Sequence, residues 1–167
     1  YSLGSKTAAF IGFKNFLRLF QDEVFLKSLA ITLKYVLISV PLKLTFALLV
    51  AYLLTRPSRM VTFYRSLYYL PSLVGGSVAV ALVWKQLFAR KGLFNSVLAN
   101  MDMSTINWFG NQKLALYPLI LMSVWQFGSS MIIFAAGLKE IPVSYYEAAR
   151  IDGARGYQSF FRITLPC

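Results

Sequence analysis

The stretch Leu114-Ala-Leu-Tyr-Pro-Leu-Ile-Leu-Met-Ser-Val-Trp-Gln-Phe-Gly-Ser-Ser-Met-Ile-Ile-Phe-Ala-Ala-Gly-Leu138 carries no charged side chain between Lys113 and Lys139. As a helix rising ~1.5 Å per residue it exceeds the ~30 Å hydrocarbon core of a bilayer even when tilted. Two further runs read the same way. Ser66 to Trp84, bounded by Arg65 and Lys85, is just long enough to span, and Tyr35 to Leu54 is interrupted only by Lys43. Backbone polar groups in lipid must bond within their own segment. The three runs therefore predict helices over 35–54, 66–84 and 114–138, and with them an all-α, polytopic transmembrane helix bundle. Pro41, Pro71 and Pro118 lie inside or near the starts of these runs, where each is expected to kink its helix or mark a turn.

Composition agrees. Of 167 residues, 57% are hydrophobic, and the mean hydropathy is +0.59, against roughly 45–50% apolar residues in a soluble domain. Histidine is absent, acids number six, and Cys167 is the single cysteine. That excludes metal sites built on histidine clusters, Ser-His and Cys-His nucleophile pairs, and an internal disulfide. No catalytic residue, cofactor or metal ligand is assigned. The formal charge of +11 would point to nucleic acid in a soluble protein, but no RRM, helix-turn-helix or zinc pattern accompanies it. Lys and Arg flank the apolar runs instead, so the expected partner is a lipid bilayer and not nucleic acid.

Between the runs the chain is polar. Phe13, Phe16, Leu17 and Phe20 recur at helical spacing around Lys14 and Arg18, which predicts an amphipathic, interfacial lead-in over 12–33. Asp22 and Glu23 stand where acids favour the dipole of the next helix. Lys43 near a helix centre costs about 2.5–3.5 kcal/mol, so it either faces a watery cavity or snorkels from a shifted span. Residues 85–113 read as a loop outside the bilayer, with Trp84 and Trp108 anchoring at the interface or, alternatively, stacking on a sugar. The distribution of Lys and Arg does not set the orientation.

The tail begins at Lys139. Ser144 is a candidate N-cap with Glu147 three residues on, a capping box. A short helix then runs through Asp152, and Gly153 is placed to end it in a left-handed conformation. A second short helix is expected from about Gly156 to Arg162. The first helix would present Ala148 and Ala149, small enough for a partner surface to approach closely.

Glu147-Ala148-Ala149, three residues, Gly153, nine residues and Ile163-x-Leu165-Pro166 together resemble the EAA signature of permease subunits of binding-protein-dependent ABC importers. The wording Glu-Ala-Ala-Arg-Ile-Asp-Gly-Ala, with Phe160-Phe161-Arg162-Ile163-Thr164-Leu165-Pro166 after it, is similar to the carbohydrate-uptake branch, of maltose and glycerol-3-phosphate type. Phe10-Ile11-Gly12-Phe13-Lys14-Asn15-Phe16 resembles the segment before the second span of such proteins. Tyr68-Tyr69-Leu70-Pro71 and Ala81-Leu82-Val83-Trp84 resemble their third span, and Ile106-Asn107-Trp108-Phe109-Gly110 their external loop.

The resemblance implies a type I importer permease fold, truncated here to about three spans, with residues 139–166 as a cytoplasmic coupling segment. Glu147, Ala148, Ala149, Asp152 and Gly153 would couple it to the ABC ATPase subunits. It also implies a second permease subunit in a heterodimer, an extracytoplasmic solute-binding protein, and a bacterial or archaeal plasma membrane. ATP hydrolysis would lie on the separate ATPase, so the chain itself is expected to be no enzyme. The 55–65 loop would be cytoplasmic and the 85–113 loop external, and the solute a sugar or sugar-like compound. Such permeases have more spans than the three read here. Tyr1 is not a start residue and Leu165-Pro166-Cys167 leads onward, so a span before Tyr1 and two after Cys167 are expected.

Gln126, Ser129 and Ser130 are polar residues within the last run, and they either line a pathway or join helices by hydrogen bonds. The rival readings are a secondary transporter or channel, a non-transporting membrane scaffold, and an enzyme. The first commonly carries acids or histidine within its spans, and none appears in these runs. The second is distinguished by an EAA segment that binds no ATPase. The third lacks a nucleophile, metal-ligand set or acid pair.

Overall fold

The computed structural model describes residues 12–55 and 59–167, and among them every regular element is helical. The chain divides into two compact units, Tyr1–Ile38 and Ser39–Cys167. Tyr1, Phe10 and Ile11, which entered the sequence reading, and residues 56–58 of the 55–65 loop lie outside the described residues.

In the first unit, α1 (Lys14–Leu19) is short and fully exposed. The lead-in thus holds this short helix and the start of the next one, at Asp22 and Glu23. The chain turns after Phe20, and Asp22 caps a new helix, its Oδ1 accepting from the N–H groups of Val24 at 2.8 Å and Phe25 at 3.3 Å. That helix, α2 (Glu23–Leu53), has 31 residues and starts well before the expected boundary at Tyr35. Its polar residues do not stop it. Ser28 Oγ donates to Val24 O, and Thr32 Oγ1 to Ser28 O, each one turn back, so these hydroxyls are satisfied without leaving the helix.

In the second unit, the end of α2 packs through small residues. Ala47 and Ala51, one turn apart and with no exposed surface, join Leu54, Phe127, Met131 and Ala135 in the core. Small side chains let two helix backbones approach closely. Phe46 adds an edge-on contact to Phe127, with centroids 4.8 Å apart.

The two later runs are each broken into two helices. Residues 66–84 fall on α3 (Val61–Val74) and α4 (Val78–Leu87), which meet at 98°. Residues 114–138 fall on α6 (Leu116–Trp125) and α7 (Gly128–Glu140), which meet at 44°; α5 (Leu93–Asn100) lies between the pairs. Pro41 and Pro71 lie inside α2 and α3, and Pro118 in the first turns of α6. The breaks fall elsewhere, at Gly75-Gly76-Ser77 and at Gln126-Phe127. At the first, two glycines weaken the helix, and Ser77, in an extended conformation, starts another by accepting from Val80 N–H at 3.3 Å. Among the described residues, α2 alone is long and apolar enough to cross a membrane, or up to three spans form if each bent pair is one.

The stretch 85–113 is more ordered than a polar loop. Asn95, 1% exposed, donates through Nδ2 to the carbonyls of Ala89 (3.1 Å) and Ile106 (2.9 Å), and its Oδ1 accepts from Ile106 N–H (2.9 Å). One side chain thus ties both flanks of α5 together.

Candidate functional site

The tail folds as α8 (Val143–Ile151), α9 (Gly156–Ser159) and a π-helical turn over Phe160–Thr164. The predicted capping box at Ser144 does not form. Pro142, at φ −60° and ψ 135°, occupies the N-cap, so the helix begins one residue after it and Ser144 lies within the first turn. Proline's fixed φ and missing N–H suit a helix entrance, where no intrahelical donor is needed. The reciprocal bond occurs further on, where Gln158 Oε1 accepts from Arg155 N–H at 2.7 Å and opens α9.

The end of α8 follows the sequence reading. Gly153 has φ +74°. Its N–H donates to Arg150 O at 3.1 Å, and the N–H of Ala154 to Ala149 O at 2.8 Å. These are the paired bonds of a Schellman motif.

Helical geometry sorts the residues of α8. Tyr146 is half-buried and Ala149 is 9% exposed, and both turn toward the rest of the unit. Ser144, Glu147, Ala148 and Ile151 lie on the opposite side and are exposed, as are Asp152 and Gly153 beyond the helix end. The expectation that Ala148 and Ala149 are both presented therefore needs correction. Positions 148 and 149 differ by about 100° around the axis, and only Ala148 faces outward. Glu147 makes no hydrogen bond or ion pair among the described residues. The centre of the outward face is Ile151, 87% exposed, which composition and motif reading passed over. Its signal was the 3.6-residue spacing of 144, 147, 148 and 151 against 146 and 149.

Gln126 and Ser129 lie at a different place. Ser72 Oγ, on α3, donates to Gln126 O at 3.1 Å and accepts from Ser129 N–H at 3.2 Å. Gln126 Nε2 donates to Gly75 O at 3.4 Å. The two helix breaks thus dock on each other, and Ser72, on a glycine-serine-rich flank, supplies what the broken backbone lacks. Gly128 packs directly on α3. A Cβ there would strike the carbonyl oxygen of Tyr68 and lie 2.7 Å from Tyr69 Cα. Ser130 is half-buried, with no hydrogen bond through its side chain among the described residues. Coupling and pathway candidates therefore form two separate groups, on α8 and at the breaks.

Trp84 and Trp108 enter an aromatic cluster. Trp84 meets Trp125 at 5.7 Å, and Phe88 meets Phe94 at 4.2 Å and Trp108 at 5.4 Å. Among the described residues no group of three or more His, Cys, Asp or Glu is arranged to hold a metal ion.

Residues 25–167 match the family described as "Binding-protein-dependent transport system inner membrane component". The probable ABC transporter permease protein YesP of Bacillus subtilis (strain 168) is 51% identical over 158 residues, covering 93% of this chain and 51% of that protein. The diacetylchitobiose uptake system permease protein NgcF of Streptomyces coelicolor is 36% identical over 172 residues, covering 94% of this chain and 48% of that protein. The chain thus spans about half the length of the curated relatives it matches. Its backbone matches a chain in the crystal structure of a bacterial ABC transporter involved in the import of the acidic polysaccharide alginate. There the TM-score is 0.82 and the identity 26%, over 96% of this chain and 57% of that one. The all-α permease fold expected from the sequence is the fold observed.

Proposed function

The chain belongs to the family of binding-protein-dependent transport system inner membrane components, and on that premise we propose that it is part of an ABC importer permease for a sugar or sugar-like solute, coupled to the ATPase through α8. The observation that carries the coupling assignment is the outward face of α8. A helix of only nine residues turns Glu147, Ala148 and a nearly bare Ile151 away from its own chain. An exposed isoleucine at the end of this helix is a good anchor for a groove on a partner, with Ala148 allowing close approach beside it.

In this reading the chain lies in a bacterial or archaeal plasma membrane, multi-pass, with the 139–166 tail and the 55–65 loop cytoplasmic and the 85–113 region external. Two ATPase subunits, closing on ATP, draw the α8 segments of two different permease subunits together. An extracytoplasmic solute-binding protein docks on the opposite face. Both partners bias one two-state bundle, and only their differential affinity for its two states moves it. ATP chemistry resides on the ATPase, and this chain supplies a moving surface and no reacting group. Asp152 and Gly153 set the end of the coupling helix, and Ala149 packs its inner side. The geometry of Gln126 and Ser129 favours joining helices over lining a pathway, which leaves Ser130 as the pathway candidate of the three.

The sugar class is supported by relatives whose names specify diacetylchitobiose and lactose and by the alginate importer. The test is uptake. The full-length permease would be reconstituted in liposomes with its second permease subunit, ATPase and solute-binding protein, and offered labelled oligosaccharides. ATP-dependent accumulation is the expected result. Accumulation that is independent of ATP and driven by an ion gradient would reject the assignment in favour of a secondary transporter.

A further inference from the structure

Resting on the proposed coupling role of α8, we infer that Tyr146 and Thr164 form the strut that passes a displacement of α8 into the membrane helices. The backbone links at either end of α8 are poorly suited to that task. On one side Ile141 and Pro142 form an extended joint, with ψ 121° and 135°. On the other, the chain leaves through Gly153 and reaches α9 at Gly156. A short helix hung between two non-helical joints can rock without moving what lies beyond them.

A side-chain link bypasses the second joint. Tyr146 OH and Thr164 Oγ1 are 3.0 Å apart, and Thr164 is only 6% exposed. Thr164 Oγ1 donates to Ser159 O at 3.4 Å. A hydroxyl has one proton to give, so Thr164 accepts from Tyr146. The result is a directed chain from α8 through Tyr146 and Thr164 to Ser159, at the end of α9. The π-helical turn between Ser159 and Thr164 is closed by Leu165 N–H donating to Phe160 O at 2.8 Å. Its first residue, Phe160, stands edge-on to Tyr52 of α2, with centroids 5.1 Å apart. Single π-helical turns often occur at functional sites. Here the wide turn sets Phe160 against α2 while Thr164 faces α8.

Beside this path a cavity of ≈ 220 Å³, lined by Tyr52, Tyr146, Arg150, Ser159, Phe160 and Thr164 among others, leaves room for α8 to tilt. The path joins the two halves of the signature mechanically, with Tyr146 adjoining Glu147-Ala148-Ala149 and Thr164 inside Ile163-x-Leu165-Pro166. Tyr146 and Thr164 are positioning residues. They act by holding α8 in register with α2.

The test is the number of solute molecules carried per ATP hydrolysed by the full-length importer in liposomes. Tyr146→Phe and Thr164→Val are each expected to lower this ratio, by roughly fivefold for a lost buried hydrogen bond. The double variant should lower it no further, because both remove one link. Thr164→Ser should keep the ratio. An Ala148→Cys cross-link to the ATPase, made in each variant, reports whether α8 still docks. A lowered ratio with the cross-link retained supports the strut. An unchanged ratio in Tyr146→Phe and Thr164→Val overturns it, and so does loss of the cross-link in those variants alone, which would make the pair purely structural. Failure of the cross-link with Tyr146 and Thr164 intact would instead reject the coupling role on which the inference rests.

Discussion

At the contact of α3 with α7, Gly128 lies on the backbone of Tyr68 and Tyr69, and Ser72 bonds both the carbonyl of Gln126 and the N–H of Ser129. On α8, a few residues further along the chain, Ile151 is 87% exposed and Glu147 makes no hydrogen bond or ion pair among the described residues. Both regions are built from small, polar and branched residues, yet the first uses them inward and the second outward. The broken helices of a membrane protein must satisfy their freed backbone groups from neighbouring side chains. A helix that docks on a partner keeps its anchor unspent. Internal satisfaction at the breaks and an open face on α8 therefore fit different roles, holding at the breaks and, as proposed, coupling on α8.

Substitutions can break this contrast. The largest effect is expected at the closed contact. Gly128→Ala forces a Cβ onto fixed backbone and should cost about 1–3 kcal/mol, read as a lower midpoint of thermal unfolding in detergent; an unchanged midpoint would mean that α3 and α7 are free to separate. Next comes the open face. Ile151→Asp should leave that midpoint nearly unchanged, while weakening co-purification of the ATPase by about 2 kcal/mol, the scale of an interface hot spot. Equal loss of both would show that α8 is part of the fold and not a docking surface. Ser72→Ala removes two hydrogen bonds at the breaks, with about 1–2 kcal/mol lost from stability and ATPase binding preserved. The smallest effect sharpens the boundary of α8. Gly153→Ala places a Cβ at φ +74° and should cost about 1 kcal/mol. Its trace should be faster amide exchange in the last turn of α8, and equal protection in both chains would contradict the role given to this glycine.

Much of this was legible in the residues, and the reasons for what was not are physical. Three apolar runs, two of them charge-free and one interrupted only by Lys43, give the helical bundle because lipid permits few alternatives. Gly153 gives the end of α8 because a left-handed residue follows a helix at low cost only as glycine. The breaks were hidden because hydropathy counts side chains and not backbone bonds. Pro71 and Pro118 are the obvious suspects, but the helices tolerate them, and what separates α6 from α7 is a docking contact with Ser72, 54 positions from Gln126. The start of α2 was legible at Asp22 and Glu23, while the apolar run from Tyr35 gave only its later part; Ser28 and Thr32 bond their own helix, so the polar stretch between does not break it. On α8 the motif drew notice to Ala148 and Ala149 as a pair. Only rotation about the axis separates the exposed one from the buried one, and the same rotation brings forward Ile151. Tyr146 and Thr164 left no mark in the sequence as partners, since their bond depends on the path of the π-helical turn between them.

The most direct test of the account is a single cross-link. In the full-length importer, with Cys167 replaced by serine, Ala148→Cys would be joined by a short reagent to cysteines along the groove of the co-expressed ATPase, with and without ATP. The account predicts a cross-link whose yield changes with ATP, and none from Ala149→Cys, which faces inward. Absence of a cross-link at Ala148 and at Ile151→Cys, in membranes where the assembled subunits co-purify, would contradict it.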